Sequence, residues 1–323
     1  MGTAFSGYRK QLGTPLLGAE VVGVNPKVNN LVRPFQQAKY DIVWVVDSGI
    51  MVAPGTLARS VESLTSFKTP RVGLVHHVPF AVVNKAKVGS QLEAAFLNTN
   101  HAKMYIAINT VGVESCVVGK SNLYRRSDLE LVNGCLVPAQ SQIRSLHEPA
   151  VGYGLAAFGR FLAEDNMIGS ALWHELGLRH DLSCDVARNV IGDMSFFDYA
   201  WRRVRWIRVR KHMALAATLV EPCTESVALC VLGSLSCRTL FGVPLWVFTF
   251  FHFLLWLSVD LDVCTSIGGQ GLKLSFIFAW LGREILAFPI WLIAIAGNEV
   301  TWRGEKYRVL RNGEASPSAT QEQ

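Results

Sequence analysis

The sequence predicts an α/β fold followed by transmembrane helices, and two observations carry that expectation. Short β-branched runs alternate with helical spacings through the first two-thirds of the chain, the pattern of a layered sheet-and-helix domain. The last third is dominated by Leu, Phe, Trp, Val and Ile with few charges, as when a soluble domain leads into membrane segments. At 323 residues the chain can bury a sizeable core. Between the two parts lies the stretch from Phe161 to Trp206, with adjacent acids at Glu164 and Asp165 and then Arg202, Arg205 and Trp206. Arg202 and Arg205 are spaced i, i+3 and share one helix face. A carboxylate base and an arginine pair for an anion are parts that group transfer requires.

In chain order, residues 1–20 show no period and read as an irregular lead-in without the apolar core of a signal peptide. Gly2 and Ser6 formally match the myristoylation pattern, which is too short to decide anything. Tyr40 to Val46 is a nearly all-apolar run that reads as a buried parallel strand, delivering Asp47 at its carboxyl end, where open α/β sheets bind ligands. An Asp there equally suits a helix cap. Helical spacing through Leu57, Val61 and Leu64 predicts a helix from Pro54 to Ser66, followed by a strand over Val72 to Val75. A further helix is expected from Gly89 to Thr99 and a short strand from Ser115 to Val118.

Two apparent motifs fail on spacing. Gly119-Lys120-Ser121 is not a phosphate loop, because Glu114 stands where its first glycine belongs, and His174-Glu175 is not a zinc helix, because Leu178 replaces the second histidine. Residues 128–152 are polar and turn-rich and read as a surface loop or insertion. A helix is expected over 158–177, with Glu164 and Asp165 near its start, where acids are also ordinary partners of the helix dipole.

The formal net charge of +6 is uneven, since Arg202, Arg203, Arg205, Arg208, Arg210 and Lys211 crowd together on an interfacial basic helix expected near 196–212. Such a cluster suits anionic headgroups or phosphates, with a solvated helix face as the plain alternative. Nucleic acid is not indicated, because no Cys/His finger pattern accompanies it. Seven cysteines without a C-x-x-C pair read as reduced thiols rather than a disulfide framework or zinc site. Cys223, Cys230 and Cys237 recur along one side of a helix, where packing is favoured over palmitoylation.

The region 213–300 reads as membrane-embedded. Leu240 to Val259 contains no Asp, Glu, Lys or Arg, and a spanning helix needs about 20 apolar residues. Leu272 to Ala296 is also long enough, whereas Met213 to Leu235, interrupted by Glu221, Pro222 and Glu225, is compatible with spanning, re-entry or lying at the interface. Arg283 and Glu284 fall in the middle of an apolar run, where charges are costly. As neighbours they point in different directions, so partners on other elements are expected. Residues 301–323 read as a polar tail with a disordered end.

The segments VVGVNPKVNNL, AKYDIVWVVDSGI, GLVHHVPF, FLAED and RRVRW, with GREI and TWRGEKYRVLRNG after them, together resemble the ceramide glucosyltransferases, inverting glycosyltransferases of the GT-A type. The resemblance covers about residues 20–312. It implies a Rossmann-like GT-A catalytic domain over 21–212, followed by the membrane helices. Relatives begin with a membrane helix and the nucleotide-binding half carrying a first acid, and neither is present ahead of Val21. The expected domain is therefore N-terminally incomplete, with an insertion at about 134–152.

The resemblance further implies transfer of glucose from UDP-glucose to the primary hydroxyl of ceramide. Asp165 would be the catalytic base and Asp47 the acid near the nucleotide sugar or its metal, with Glu164 beside them in the substrate site. Arg202, Arg205 and Trp206 fill the family's R-x-x-R-W motif, and His76 lies in the segment near the acceptor pocket. A divalent cation, Mg²⁺ or Mn²⁺, is implied by the family, with Asp47 the one plausible ligand. So is a multi-pass location in Golgi or endoplasmic reticulum, the catalytic domain facing the cytosol. Two other readings remain: a processive polysaccharide synthase, which needs more membrane helices than are counted here, and a catalytically silent lipid-binding membrane protein.

Overall fold

A computed structural model of the chain describes residues 20–83, 87–138, 152–269, 273–302, 304–310 and 312–318. Residues 1–19 of the expected lead-in and 139–151 of the expected insertion lie outside the described residues.

The first helix, α1 (Pro26–Gln36), starts where Asn25 caps it: the Asn25 side chain accepts from the amides of Lys27 and Val28, and Pro26 opens the first turn. Its apolar face buries Val28, Val32 and Phe35. Five strands then form one sheet in the order β1 (Ile42–Val46), β4 (Ser121–Arg125), β3 (Val72–Val83), β5 (Arg179–Ile191) and β2 (Ile50–Met51).

The run at 42–46 is a strand, but it pairs antiparallel with β4, not parallel as its composition suggested. The parallel pairing falls instead to β3 and β5. The reason lies in burial. Residues of β1 are only half-buried, whereas β3 is buried along most of its length and covered on both faces. Leu74 packs into the core built by α1 and α6 (Glu164–His174), and its neighbours Val72 and Val75 into a second core under Leu64 of α2 (Thr56–Thr65).

Three other expectations shift. The helix expected at 89–99 runs on, as α3 (Val88–Phe96), a π turn over Leu97–His101 and α4 (Ala102–Val111). Residues 115–118 form no strand; that segment leads into β4, which the short helix α5 (Arg126–Leu129) follows. The helix expected over 158–177 is divided: a 3₁₀ turn at Leu155–Arg160, then an extended Phe161 bridged to Glu314, and only then α6. This break puts Glu164 and Asp165 in the first turn of α6, the end favoured by helix-dipole electrostatics.

The basic helix, α7 (Phe196–Met213), begins with a capping box between Ser195 and Asp198. Beyond it, α8 (Leu215–Val220) and a 3₁₀ turn lead at a 57° bend into α9 (Ser226–Phe241). Cys223 lies in that turn and only Cys230 and Cys237 in α9, so the three do not share one helix side; all the described cysteines are free thiols. Two helices, α10 (Leu245–Ser266) and α11 (Leu274–Ile295), are long and apolar enough to cross a membrane.

Arg283 and Glu284 do engage each other, contrary to expectation: Arg283 Nη1 lies 2.8 Å from Glu284 Oε1. The long guanidinium reaches back around the helix and is shared with Glu225 at 3.2 Å, while Glu284 also takes the Ser226 hydroxyl. The polar tail is likewise structured over much of its length. β6 (Glu299–Trp302), β7 (Glu305–Val309) and β8 (Ala315–Pro317) form an antiparallel sheet. Alternate apolar residues Val300, Tyr307 and Val309 pack it onto Val209 of α7, which stabilises a segment whose composition alone reads as disordered.

Candidate active site

The carboxyl end of β1, the turn before β4 and the N-termini of α1 and α6 converge on one cluster of charges. Lys27 is its centre. The Nζ of Lys27 lies 3.1 Å from Asp47 Oδ1 and 3.0 Å from Glu164 Oε1, and donates to Gly119 O at 3.0 Å. Lys120 Nζ holds the other oxygen of Asp47 at 2.8 Å, and the Asp47 amide donates to Lys120 O at 3.1 Å. Asn25 serves two elements at once. Its oxygen caps α1, and its Nδ2 donates to Glu164 Oε2 at 2.8 Å and to Phe161 O at 2.7 Å.

Asp165 stands apart. Among the described residues it makes no hydrogen bond or ion pair, and it is partly exposed beside the Gly119 turn. A Cβ on Gly119 would fall 2.5 Å from Asp165 Oδ2, so glycine at 119 is what lets the turn and this carboxylate approach.

The electrostatics follow from that packing. Burial acts against the Lys27 charge, but Glu164, Asp165 and Asp47 outweigh it and hold the lysine above its ordinary range. For Asp47, burial is likewise overcome by Lys27 and Lys120, which keep the acid below the usual carboxylate range. Glu164 is pushed upward by burial and by Asp165, with Lys27 and Asn25 opposing.

A second group forms on α7. Arg202 Nε lies 2.8 Å from Glu93 Oε1, a fully buried acid of α3. Arg205 forms no ion pair among the described residues, and burial with Arg202 beside it lowers its pKa from the ordinary arginine value. Trp206 packs on Phe96 and His101, with ring centroids 6.4 and 6.1 Å apart. The rest of the basic helix is turned inward. Arg203 is buried over the Phe96 ring, Arg210 pairs with Glu221, and Arg208 and Lys211 bind carbonyls at the end of α11.

Thus the structure brings Asp47, Glu164 and Asp165 together and groups Arg202, Arg205 and Trp206 separately, with no ion pair between the groups among the described residues. Tyr105 lies between them. It stacks on His101 with centroids 5.6 Å apart, its oxygen accepts from the Val118 amide at 3.1 Å, and it hydrogen-bonds Nδ1 of the fully buried His76. Sequence reasoning missed Asn25, Lys27, Tyr105, Gly119 and Lys120. For the first two the signal was available, in an N-cap Asn followed by Pro and a lone Lys in an otherwise uncharged helix start. Gly119 and Lys120 were set aside with the phosphate-loop reading, which their roles here do not need.

The donor set at Asp47 does not make a metal site by itself. Among the described residues no three His, Cys, Asp or Glu side chains are placed so that they could hold a metal ion, and both Asp47 oxygens already face lysine ammoniums.

The sheet end that gathers these carboxylates is followed in the chain by two helices long and apolar enough to cross a membrane. Residues 7–138 and 148–315 match the model of glycosyl transferase family 21, and the chain belongs to that family. It is similar to the ceramide glucosyltransferase of Komagataella phaffii, 37% identical over 89% of this chain and 68% of the relative. The Candida albicans ceramide glucosyltransferase is 31% identical over 90% of this chain and 72% of its own length. That of Pyricularia oryzae is 34% identical over 89% of this chain and 67% of its own length.

Proposed function

We propose that this chain transfers glucose from UDP-glucose to the primary hydroxyl of ceramide, with inversion at the anomeric carbon. The kinship to curated ceramide glucosyltransferases supports the substrates. One observation supports the assignment of roles: of the three clustered carboxylates, Asp165 alone makes no ion pair or hydrogen bond among the described residues. A base must have its lone pairs available for the incoming proton. Asp165 takes the hydroxyl proton as the oxygen attacks, and Glu164, tied to Lys27 and Asn25, stays fixed behind it.

Asp47 orients the donor together with Lys27 and Lys120, whose ammoniums suit a diphosphate. Arg205, which forms no ion pair among the described residues, stabilises charge on the departing UDP, Arg202 and Trp206 support it from the same helix face, and His76 borders the acceptor side. Any divalent cation would draw most of its ligands from the donor phosphates, and no step here depends on one. The proposed setting is the Golgi or endoplasmic reticulum membrane, with the catalytic domain in the cytosol.

The test is to purify the chain in lipid nanodiscs and supply labelled UDP-glucose with ceramide. β-Glucosylceramide is the expected product. No labelled lipid, in a preparation that retains its fold by circular dichroism, would overturn the reading.

A further inference from the structure

By length and apolarity α11 could cross a membrane, yet the sheet domain holds it from near its start to its end. Trp280 Nε1 donates to Asp260 Oδ2 at 2.8 Å, and Lys103 of α4 binds the other oxygen of that carboxylate at 2.7 Å. A Cβ on Gly282 would stand 3.1 Å from Leu92 of α3, so the helix backbone lies directly on the domain there. Farther along, Ile290 and Ala294 pack with Tyr199, Val204 and Ile207 of α7. At the last turn Lys211 donates to Ile295 O and Gly297 O at 3.1 and 2.7 Å. The C-terminal sheet then folds back onto α7, and Glu314 pairs with Arg160 at 2.8 Å.

Only residues 274–279 precede these contacts, about 9 Å of helix against a hydrocarbon core about 30 Å thick. The elements that hold the rest carry Glu93, Lys103 and the basic run of α7, charges too costly to place at bilayer depth together. A helix bound in this way does not carry the chain to the far side.

The two faces of α11 explain why its composition reads as a span. Toward the domain it buries Trp280, Arg283, Glu284, Ile290 and Ala294, and the two charges are satisfied by each other and by Glu225. On the opposite face Leu274, Phe278, Leu281, Ile285, Phe288 and Leu292 are exposed, stepping by three and four residues. An ordinary interfacial helix turns its second face to water and is polar there, which keeps its overall hydrophobicity low. Protein covers that face of α11, so it is largely apolar as well.

We propose that α11 lies along the membrane instead of crossing it, with its exposed stripe sunk into the acyl region of the leaflet nearest the sheet domain and the C-terminal sheet on that same side. A lipid surface is the occupant that fits, because α11 adjoins α10, where the Phe253 and Trp280 ring centroids are 6.2 Å apart, and of α10 only Asp260 and Cys264 are buried. The hairpin of α9 and α10 is then the part that enters deeply. Its two ends return to the domain, at Glu225, bound by Asn100 at 3.1 Å, and at Asp260.

Two measurements on the full chain in lipid test this. With exposed Cys135, Cys184 and Cys223 changed to Ser, nitroxide labels at Phe278→Cys, Ile285→Cys and Leu292→Cys should report one common depth, about 5–10 Å below the headgroups, by collision with oxygen and with a water-soluble relaxant. A spanning helix would separate the first and last labels by about 21 Å, and a gradient of that size overturns the proposal. Labels that neither reagent reaches would mean that protein, such as a second copy of the chain, covers the stripe, which also overturns it. Should the stripe variants not fold, the side of the tail decides. In sealed microsomes an impermeant maleimide should treat Glu305→Cys of β7 and native Cys184 alike, labelling both or sparing both until detergent is added. One labelled and the other spared would put the tail across the membrane from the sheet domain and overturn the proposal. Neither readout uses glucosyl transfer, so the outcome is separate from that of the substrate assignment.

Discussion

The Lys27 ammonium lies 3.0 Å from the Glu164 carboxylate, joining the first turn of α1 to the first turn of α6 across the end of the sheet. Glu164 is buried beside Asp165, so with Lys27 gone it would keep only Asn25 against a like charge. Removing one partner of a buried pair costs about 3 kcal/mol, because the other charge is left uncompensated. Lys27→Met should lower the unfolding midpoint accordingly, and adding Glu164→Gln should recover most of the loss. A single and a double variant equally destabilised would show that the two side chains are not energetically coupled.

Asp165→Asn should leave folding intact and reduce transfer by about 10² to 10⁴, the usual range for loss of a general base. The amide keeps the shape beside Gly119 but cannot take the acceptor proton. Glucosylceramide formation at saturating substrates is the measurement. A rate within a few-fold of the unmodified chain would remove Asp165 from that role.

The part of this arrangement that was legible in the sequence is the part written in local pattern. Asp47 after an apolar run, the acid pair and the R-x-x-R-W helix were each visible from spacing, and α10 and α11 from length and apolarity. What was not legible depends on contacts distant in sequence. Composition of β1 says that it is a strand but not which strand pairs with it, since an apolar run fits a parallel or an antiparallel neighbour. Lys27 gains its meaning from Glu164, more than a hundred residues away. The basic run on α7 resembled a lipid-facing surface, yet Arg203, Arg208, Arg210 and Lys211 are occupied within the protein, and only tertiary packing distinguishes those cases.

Acid should weaken the fold through its buried histidines. His180 Nε2 donates to Gly169 O over 3.1 Å, and burial pulls its pKa down to about 4, while His101 is pulled to about 3 by burial with Arg203 and Arg210 nearby. The unfolded chain takes up these protons near pH 6.5, so below that value it binds more protons than the folded chain does. Stability therefore falls as pH drops from about 6.5 towards 4, by up to about 3 kcal/mol from His180. His180→Gln should flatten part of that acid limb in an unfolding series across pH. An unaltered limb would mean that His180 is already protonated in the folded state.

The two arginines Arg205 and Arg208 are one turn apart on α7 and should respond differently to the same change. Arg208 binds the carbonyls of Ile293 at 3.2 Å and Glu299 at 2.5 Å, so it joins the end of α11 to β6 and has no free fork to offer a ligand. Arg205 has no such partner among the described residues. Lysine replaces the charge of either but lacks the planar, paired donors that grip phosphate oxygens. Arg205→Lys should therefore cut turnover severely with little effect on the unfolding midpoint. Arg208→Lys should lose one carbonyl contact, costing about 1 kcal/mol of stability, and leave turnover close to normal. Equal and small effects on turnover would exclude a diphosphate role for Arg205 and leave α7 as a structural strut between the sheet domain and the membrane helices.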